Sequence, residues 1–255
     1  MIVVRPIVMS EAETFLRLLC EVFDLDLQRA SGVFFREPFF DIHRKWALFE
    51  NGRMASVLTT VPLEFGWGRA IGIAGVATGD SDRGRGLAAT LLRSVLDSSD
   101  RAGEGPAYLF AKRTDLYERV GFQVLDEVIK SPMEGSGLTV DPEELPTESV
   151  QDIYERWSQE DPLRLRRDER RWRFWTWNLR FAESFGEGYL VNEGGVVREC
   201  IPGDGAWPVS SLDEWYGLRS LADRIGVPYR AANHEMHVMG YGTSHVPQMF
   251  LTDQF

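Results

Sequence analysis

The first apolar positions, Val3 and Val4, form a short run of strand type, and Phe15, Leu18, Leu19 and Val22 then recur at the spacing of one helix face. Ser10 with Glu13 has the form of a capping box, so the pattern predicts a strand followed by a helix. An aromatic-rich segment over 34–40 leads to a run at 46–50, the turn pair Asn51 and Gly52, and a second run at 54–62, which together predict a hairpin. A third run of small, β-leaning residues covers 70–78. Beyond the polar spacer GDSD and the glycine-rich RGRGLA, the positions Leu87, Leu91, Leu92, Val95 and Leu96 mark a helix that stops at the glycines of SSDRAGEG. A strand over 107–111, a short helix over 115–120 ended by Gly121, and a strand over 122–129 complete a mixed α/β layer on one sheet.

Residues 131–147, SPMEGSGLTVDPEELPT, have the composition of a connector. They divide the chain into a first domain over 1–130, a linker over 131–147 and a second domain over 148–255. In the second domain, Val150, Ile153, Tyr154 and Trp157 mark one helix face, and Trp172, Trp175, Leu179 and Ala182 another. Strands are predicted at 189–192 and 196–201, a helix on Leu212, Trp215, Leu218, Ala222 and Ile225, and a final strand in MFLTDQF. Six of the eight tryptophans lie in this half, where helical spacing makes them core rather than a binding box.

With 255 residues, 44% of them hydrophobic and 26% charged, the chain can bury a sizeable core. No run approaches the roughly 18 apolar residues of a membrane span. The first fifteen residues lack the parts of a secretory leader, so a cytoplasmic location is expected. Cys20 and Cys200 stand far apart with no CxxC spacing, which excludes a zinc ribbon and predicts two buried thiols. The net charge of −11 disfavours nucleic acid. Residues 1–130 hold 16 basic and 18 acidic side chains against 12 and 21 in the remainder, so most of the acidity lies in the second half and favours a cationic partner. The histidines of HEMH and His245 do not have the two-histidine zinc spacing, and no metal is expected. The acidic run in DEVIK reads as a solvated face.

The chemistry concentrates in RGRGLA. A glycine-rich turn that ends a strand and opens a helix offers unpaired N–H groups to an anion, and the helix dipole adds about 0.3–1 kcal/mol of attraction. Gly84 and Gly86 allow close backbone approach, while Arg83 and Arg85 add positive charge. Two other readings of the segment are a dinucleotide fingerprint, for which the preceding hairpin is the wrong context, and a plain turn capping a structural helix.

The run GVATGDSDRGRGLAATLL resembles the cofactor-binding motif of the GNAT acetyltransferases, and LYERVGF at 116–122 is similar to that family's second segment. More weakly, the second half resembles the central domain of tandem GNAT proteins of the enhanced-intracellular-survival (Eis) type. That likeness rests on the connector, the segment RDERRWRFW and the strand GYLV. The resemblance implies an α/β fold of the GNAT acyl-CoA N-acyltransferase type, a mixed sheet in tandem with a degenerate second GNAT-like domain. The sterol-carrier-like third domain that such relatives often carry is not expected in 255 residues.

By the same resemblance, acetyl-CoA would run along Val76, Ala77 and Thr78, with its pyrophosphate on Arg83, Gly84, Arg85, Gly86, Ala88 and Ala89. The N–H of Val76 would hold the thioester oxygen, and Lys112 and Arg113 would approach the cofactor. Tyr117 matches the family tyrosine and would protonate the departing thiolate. The glutamate that many members place on the preceding strand falls at Gly72, where no carboxylate exists. An alkylammonium with pKa near 10.4 costs about 4–5 kcal/mol to present neutral at pH 7, so a base is needed. Its candidates are Asp24, Asp26, Glu64, a water chain and the main-chain carboxylate of Phe255.

The implied function is transfer of acetyl from acetyl-CoA to a primary amine by direct attack in a ternary complex. The acceptor would be a small cation of polyamine or aminoglycoside type, with a protein amino terminus or lysine as the runner-up; neither nucleic acid nor membrane is expected as partner, and a homo-oligomer is left open. The alternative is a non-catalytic acyl-CoA-binding sensor or interaction module.

Overall fold

The computed structural model describes residues 1–135, 143–178, 180–204 and 206–255. Leu179 and residues 136–142 of the connector lie outside the described residues. The first half runs β1 (Ile2–Pro6), α1 (Ala12–Phe23), α2 (Leu27–Phe34), β2 (Lys45–Glu50), β3 (Arg53–Phe65), β4 (Gly68–Thr78), α3 (Leu87–Arg101), β5 (Ala107–Ala111), α4 (Asp115–Glu118) and β6 (Gln123–Pro132). The second half adds α5 (Thr147–Gln159), β7 (Leu165–Arg166), α6 (Glu169–Trp177), β8 (Glu183–Phe185), β9 (Gly188–Asn192), β10 (Val196–Ile201), β11 (Glu214–Leu218), α7 (Arg219–Ile225) and β12 (Asn233–Tyr241).

One mixed sheet carries the fold, in the order β1-β2-β3-β4-β5-β12-β6-β11-β10-β9-β8, with β7 added beside β3. The late strand β12 lies between β5 and β6, antiparallel to both. The pair β4 and β5 is parallel and short: only Ile71, Gly72 and Ile73 face Ala107, Tyr108 and Leu109. Beyond those residues β4 stays with β3 and β5 with β12, so the two strands part and leave an opening in the sheet.

Alternation along β3 and β4 sends side chains to two cores. On one face, Leu58, Ile71 and Ile73 pack against Leu87, Leu91 and Val95 of α3. On the other, Val57 and Ala77 pack against Phe15, Leu16 and Cys20 of α1. A third core holds Tyr154, Trp157, Trp175 and Trp215 and reaches back to Phe65 and Tyr108. Cys20 and Cys200 are free and buried, as expected, and burial raises both thiols. Among the described residues no helix is long and apolar enough to cross a membrane.

Several local expectations are corrected. The turn before α1 is held by Glu11, which accepts from the Val8 N–H at 2.9 Å and pairs with Arg5, while Glu13 pairs with Arg17. The positions from Leu212 to Ile225 do not form one helix. Leu212 is 87% exposed, and Trp215 and Leu218 belong to β11, which is held between β6 and β10 before α7 begins. Here pairing on both edges overrides an apolar spacing that suits a helix. The segment MFLTDQF forms a 3-10 turn over Leu251–Asp253 rather than a strand. Nor is DEVIK a solvated face. It lies in β6 inside the sheet, Asp126 accepts from Ser220 Oγ at 2.5 Å, and burial raises its carboxyl.

Candidate active site

The strand β4 carries a bulge at the place where the sheet opens. Val57 faces Ala77 and Thr59 faces Ala74, so Gly75 and Val76 together stand opposite Leu58. Gly75 takes φ 58°, the left-handed region in which a side chain is strained. The extra residue turns consecutive positions to opposite faces: Val76 packs toward the α3 core, and Gly75 borders a cavity on the α1 side. Ala77 is buried, and the Thr78 hydroxyl lies 2.8 Å from that of Ser56.

After β4 the chain turns through a 3-10 segment, Asp80–Asp82, into residues 83–86, all exposed. Gly84 and Gly86 both take φ 76°, and α3 opens at Gly86 with no side chain capping it. Among the described residues, none of the N–H groups from 84 to 89 has a protein acceptor. They form a continuous row of donors at a helix start, the arrangement that holds phosphate oxygens.

The positive charge expected there is already matched. Arg85 donates to Glu50 at 2.6 and 2.8 Å and to Asp82 at 3.1 Å, and Arg83 pairs with Asp80 at 2.8 Å. Arg53 forks onto the buried Asp82 with two bonds of 2.7 Å, and these bonds hold the Asp82 carboxyl below its ordinary range. The arginines therefore brace the turn, and its anion-binding capacity lies in the main chain.

Tyr117 sits on α4, half-buried, edge-on to Phe122 at 6.1 Å between ring centroids. It packs against the same core as Val76, on the α3 face. Burial raises its phenol, which keeps the hydroxyl protonated. Lys112 and Arg113 are exposed, and Arg113 approaches Asp115 at 3.5 Å.

The opposite face holds a cavity of about 260 Å³. Its apolar wall comes from Leu19, Phe34, Phe39, Val61, Phe174 and Phe255, and Ala74 and Gly75 of β4 border it. The Phe255 ring lies over Gly72 so closely that a Cβ there would fall 2.6 Å from it, and it packs on Phe110 at 5.4 Å. The ring thus takes the space above Gly72 that a longer residue on β4 would need.

The side-chain carboxylates named as bases are elsewhere. Asp26 caps α2 by accepting from the Arg29 N–H at 2.7 Å, and Asp24 ends α1 with φ 52°. Glu64 borders a separate cleft with Arg166 and Trp172. His234 bonds Glu127 through Nδ1 at 2.9 Å.

The segment ending at Phe255 is anchored by buried charge that the sequence did not disclose. Arg167, with no exposed side-chain surface, donates to Glu199 at 2.7 and 2.9 Å and to Asp253 at 2.8 to 3.1 Å. Its guanidinium lies over Tyr154 at 3.9 Å. Glu199 also accepts from Tyr189, Thr252 and Trp175. Burial pushes the Glu199 carboxyl up, but the charge and hydrogen bonds of Arg167 outweigh this and hold it below the ordinary glutamate range. Arg171 donates to the Pro62 carbonyl of β3 at 2.9 Å.

Known proteins agree with this architecture. Residues 3–125 match the family model described as the acetyltransferase (GNAT) domain. The chain is similar in fold to a GCN5-related N-acetyltransferase from Kribbella flavida, with TM-score 0.74 at 18% identity over 94% of this chain and 71% of that one. A second from Anabaena variabilis gives 0.70 at 14% over 94% and 72%. Eis1 from Mycobacterium abscessus gives 0.62 at 14% over 93% and 73%. No curated protein sequence matches. Residues 3–125, just under half of the chain, thus carry an acetyltransferase (GNAT) domain, and the whole chain shares the fold of these solved GNAT structures.

Proposed function

We propose that the protein moves an acetyl group from acetyl-CoA to a primary amine by direct attack in a ternary complex. The observation that carries this reading is the opening between β4 and β5. On its α3 face stand the amide row of residues 84–89 and Tyr117; on its α1 face stands the cavity under Phe255. A thioester laid along Val76, Ala77 and Thr78 would reach the amine through that gap.

The residues would then divide the work as follows. Gly84, Arg85, Gly86, Ala88 and Ala89 offer main-chain N–H groups to the pyrophosphate. The Val76 N–H polarises the thioester carbonyl as the amine nitrogen attacks. The new C–N bond forms, the C–S bond breaks, and Tyr117 passes its proton to the leaving sulfur. The proton lost by the amine goes to a base. For that role we propose a water chain that leads to solvent from the cavity beside Phe255, whose segment is held by the anchor at Asp253.

Steady-state release of the coenzyme A thiol over a panel of amines tests the whole reading. Turnover by the wild type, with kcat lowered by roughly 10²–10⁴ in Tyr117→Phe and acetyl-CoA affinity unchanged, is expected. Tight acetyl-CoA binding without turnover on any amine would instead identify a sensor, which lacks a carboxylate at Gly72 for that reason.

A further inference from the structure

The cavity beneath Phe255 restricts the acceptor, and this inference rests on the acetyl-transfer reading above. Its volume of about 260 Å³ lies below the roughly 300–1,000 Å³ of sites for drug-sized ligands. A cavity of this size suits one ring with a short side chain better than a sugar antibiotic of several rings.

Charge narrows the choice further. Four charged side chains border the cavity, and they cancel. Glu37 lies 3.1 Å from the buried Lys45, whose ammonium stands over the Phe34 ring at 4.9 Å. Asp253 is held by Arg167 at 2.8 Å, with Arg171 at 4.0 Å. Among the described residues that border the cavity, no side-chain carboxylate is left to face a second ammonium on the ligand. A polyamine would therefore bring in a second charge with no carboxylate to pair it, compensated by ring faces alone. A monoamine gives up its single charge before attack, and what remains to be buried is its apolar body. The uncharged polar residues at the cavity, Thr59 and Gln254, suffice for one amino group.

We propose that the acceptor is a primary monoamine on a compact aromatic body, an arylalkylamine, with the ring among Phe34, Phe39, Phe174 and Phe255 and the nitrogen at Gly75. The small polycation suggested by net charge is the competing outcome.

The test compares kcat/KM of the full chain for 2-phenylethylamine, spermidine and kanamycin at saturating acetyl-CoA. The expected result is a value for 2-phenylethylamine at least tenfold above the other two. In addition, Ala74→Leu, which narrows the cavity beside the bulge, should raise the KM for 2-phenylethylamine at least tenfold with acetyl-CoA affinity within twofold of wild type. Phe39→Ala, at the half-buried wall, should raise the same KM severalfold and guards against misfolding of the first variant. Preference for spermidine or kanamycin overturns this proposal and leaves acetyl transfer standing. Unchanged KM in both variants removes the cavity as the acceptor site. Absence of turnover with all three amines and with wider amine panels overturns both readings.

Discussion

A single methyl group added at Gly72 would collide with the Phe255 ring at 2.6 Å, so Gly72→Ala must displace that ring. Because that ring lines the cavity and the amide row lies beyond the bulge, the expected result is a rise in amine KM with acetyl-CoA affinity intact. Competition assays alongside calorimetry measure both. Tyr117 carries a second expectation at this scale. Its phenol is raised by burial above its ordinary value near 10, so the acid form persists through the neutral range. The pH profile of kcat/KM should therefore show no descending limb from Tyr117 below pH 10; a limb near pH 8 that disappears in Tyr117→Phe would contradict the placement. The place of Tyr117 on a short helix and of the glycines at a helix start was legible because those motifs are local in sequence. The meeting of Phe39, Phe174 and Arg171 at one cavity was not, because it arises only when α6 is brought against β3.

At the scale of elements, the turn before α3 depends on Asp82. This carboxylate ties β3, through Arg53, to Arg85 of the turn, and Arg85 returns to β2 through Glu50. Asp82→Asn removes the charge that orders both guanidiniums, and the acetyl-CoA Kd should rise severalfold without loss of the folded state. Gly86→Ala should do more. Its φ of 76° costs an L residue about 1–2 kcal/mol, and the strain falls where α3 begins. Calorimetric titration with acetyl-CoA reads both variants. The hairpin of β2 and β3, β4 and α3 were clear from period and punctuation. The strand β11 was not, since Trp215 and Leu218 meet a helical template equally well until β6 and β10 bracket them. Nor was β12, whose histidines and glutamate hide a strand that is buried only in its second half.

Across the whole molecule, the buried Arg167, between β7 and α6, joins β10 to the segment around Asp253. Arg167→Met strands two carboxylates in the core and is expected to destabilise the fold by about 3–5 kcal/mol, measured by denaturant unfolding. The pH dependence follows from Glu199. Its folded value is depressed, so its contribution to stability is complete above the unfolded value near 4.3 and is lost as acid carries the pH down through the folded value. Unfolding midpoints in wild type should fall on acidification below that point, and the slope should lessen in Glu199→Gln. None of this was visible in the pattern of apolar positions, since a buried ion network reads in sequence as ordinary charge.

The position of β12 also fixes an order of events during synthesis. Its seat between β5 and β6 stays vacant until about 120 further residues have been added after β5. At about 5–20 residues per second that is a wait of roughly 6–24 s on the ribosome. Through that interval the nascent chain carries two bare strand edges facing one slot, which a neighbouring copy's own β12 could fill, so crowded translation would favour exchanged pairs over self-completed molecules.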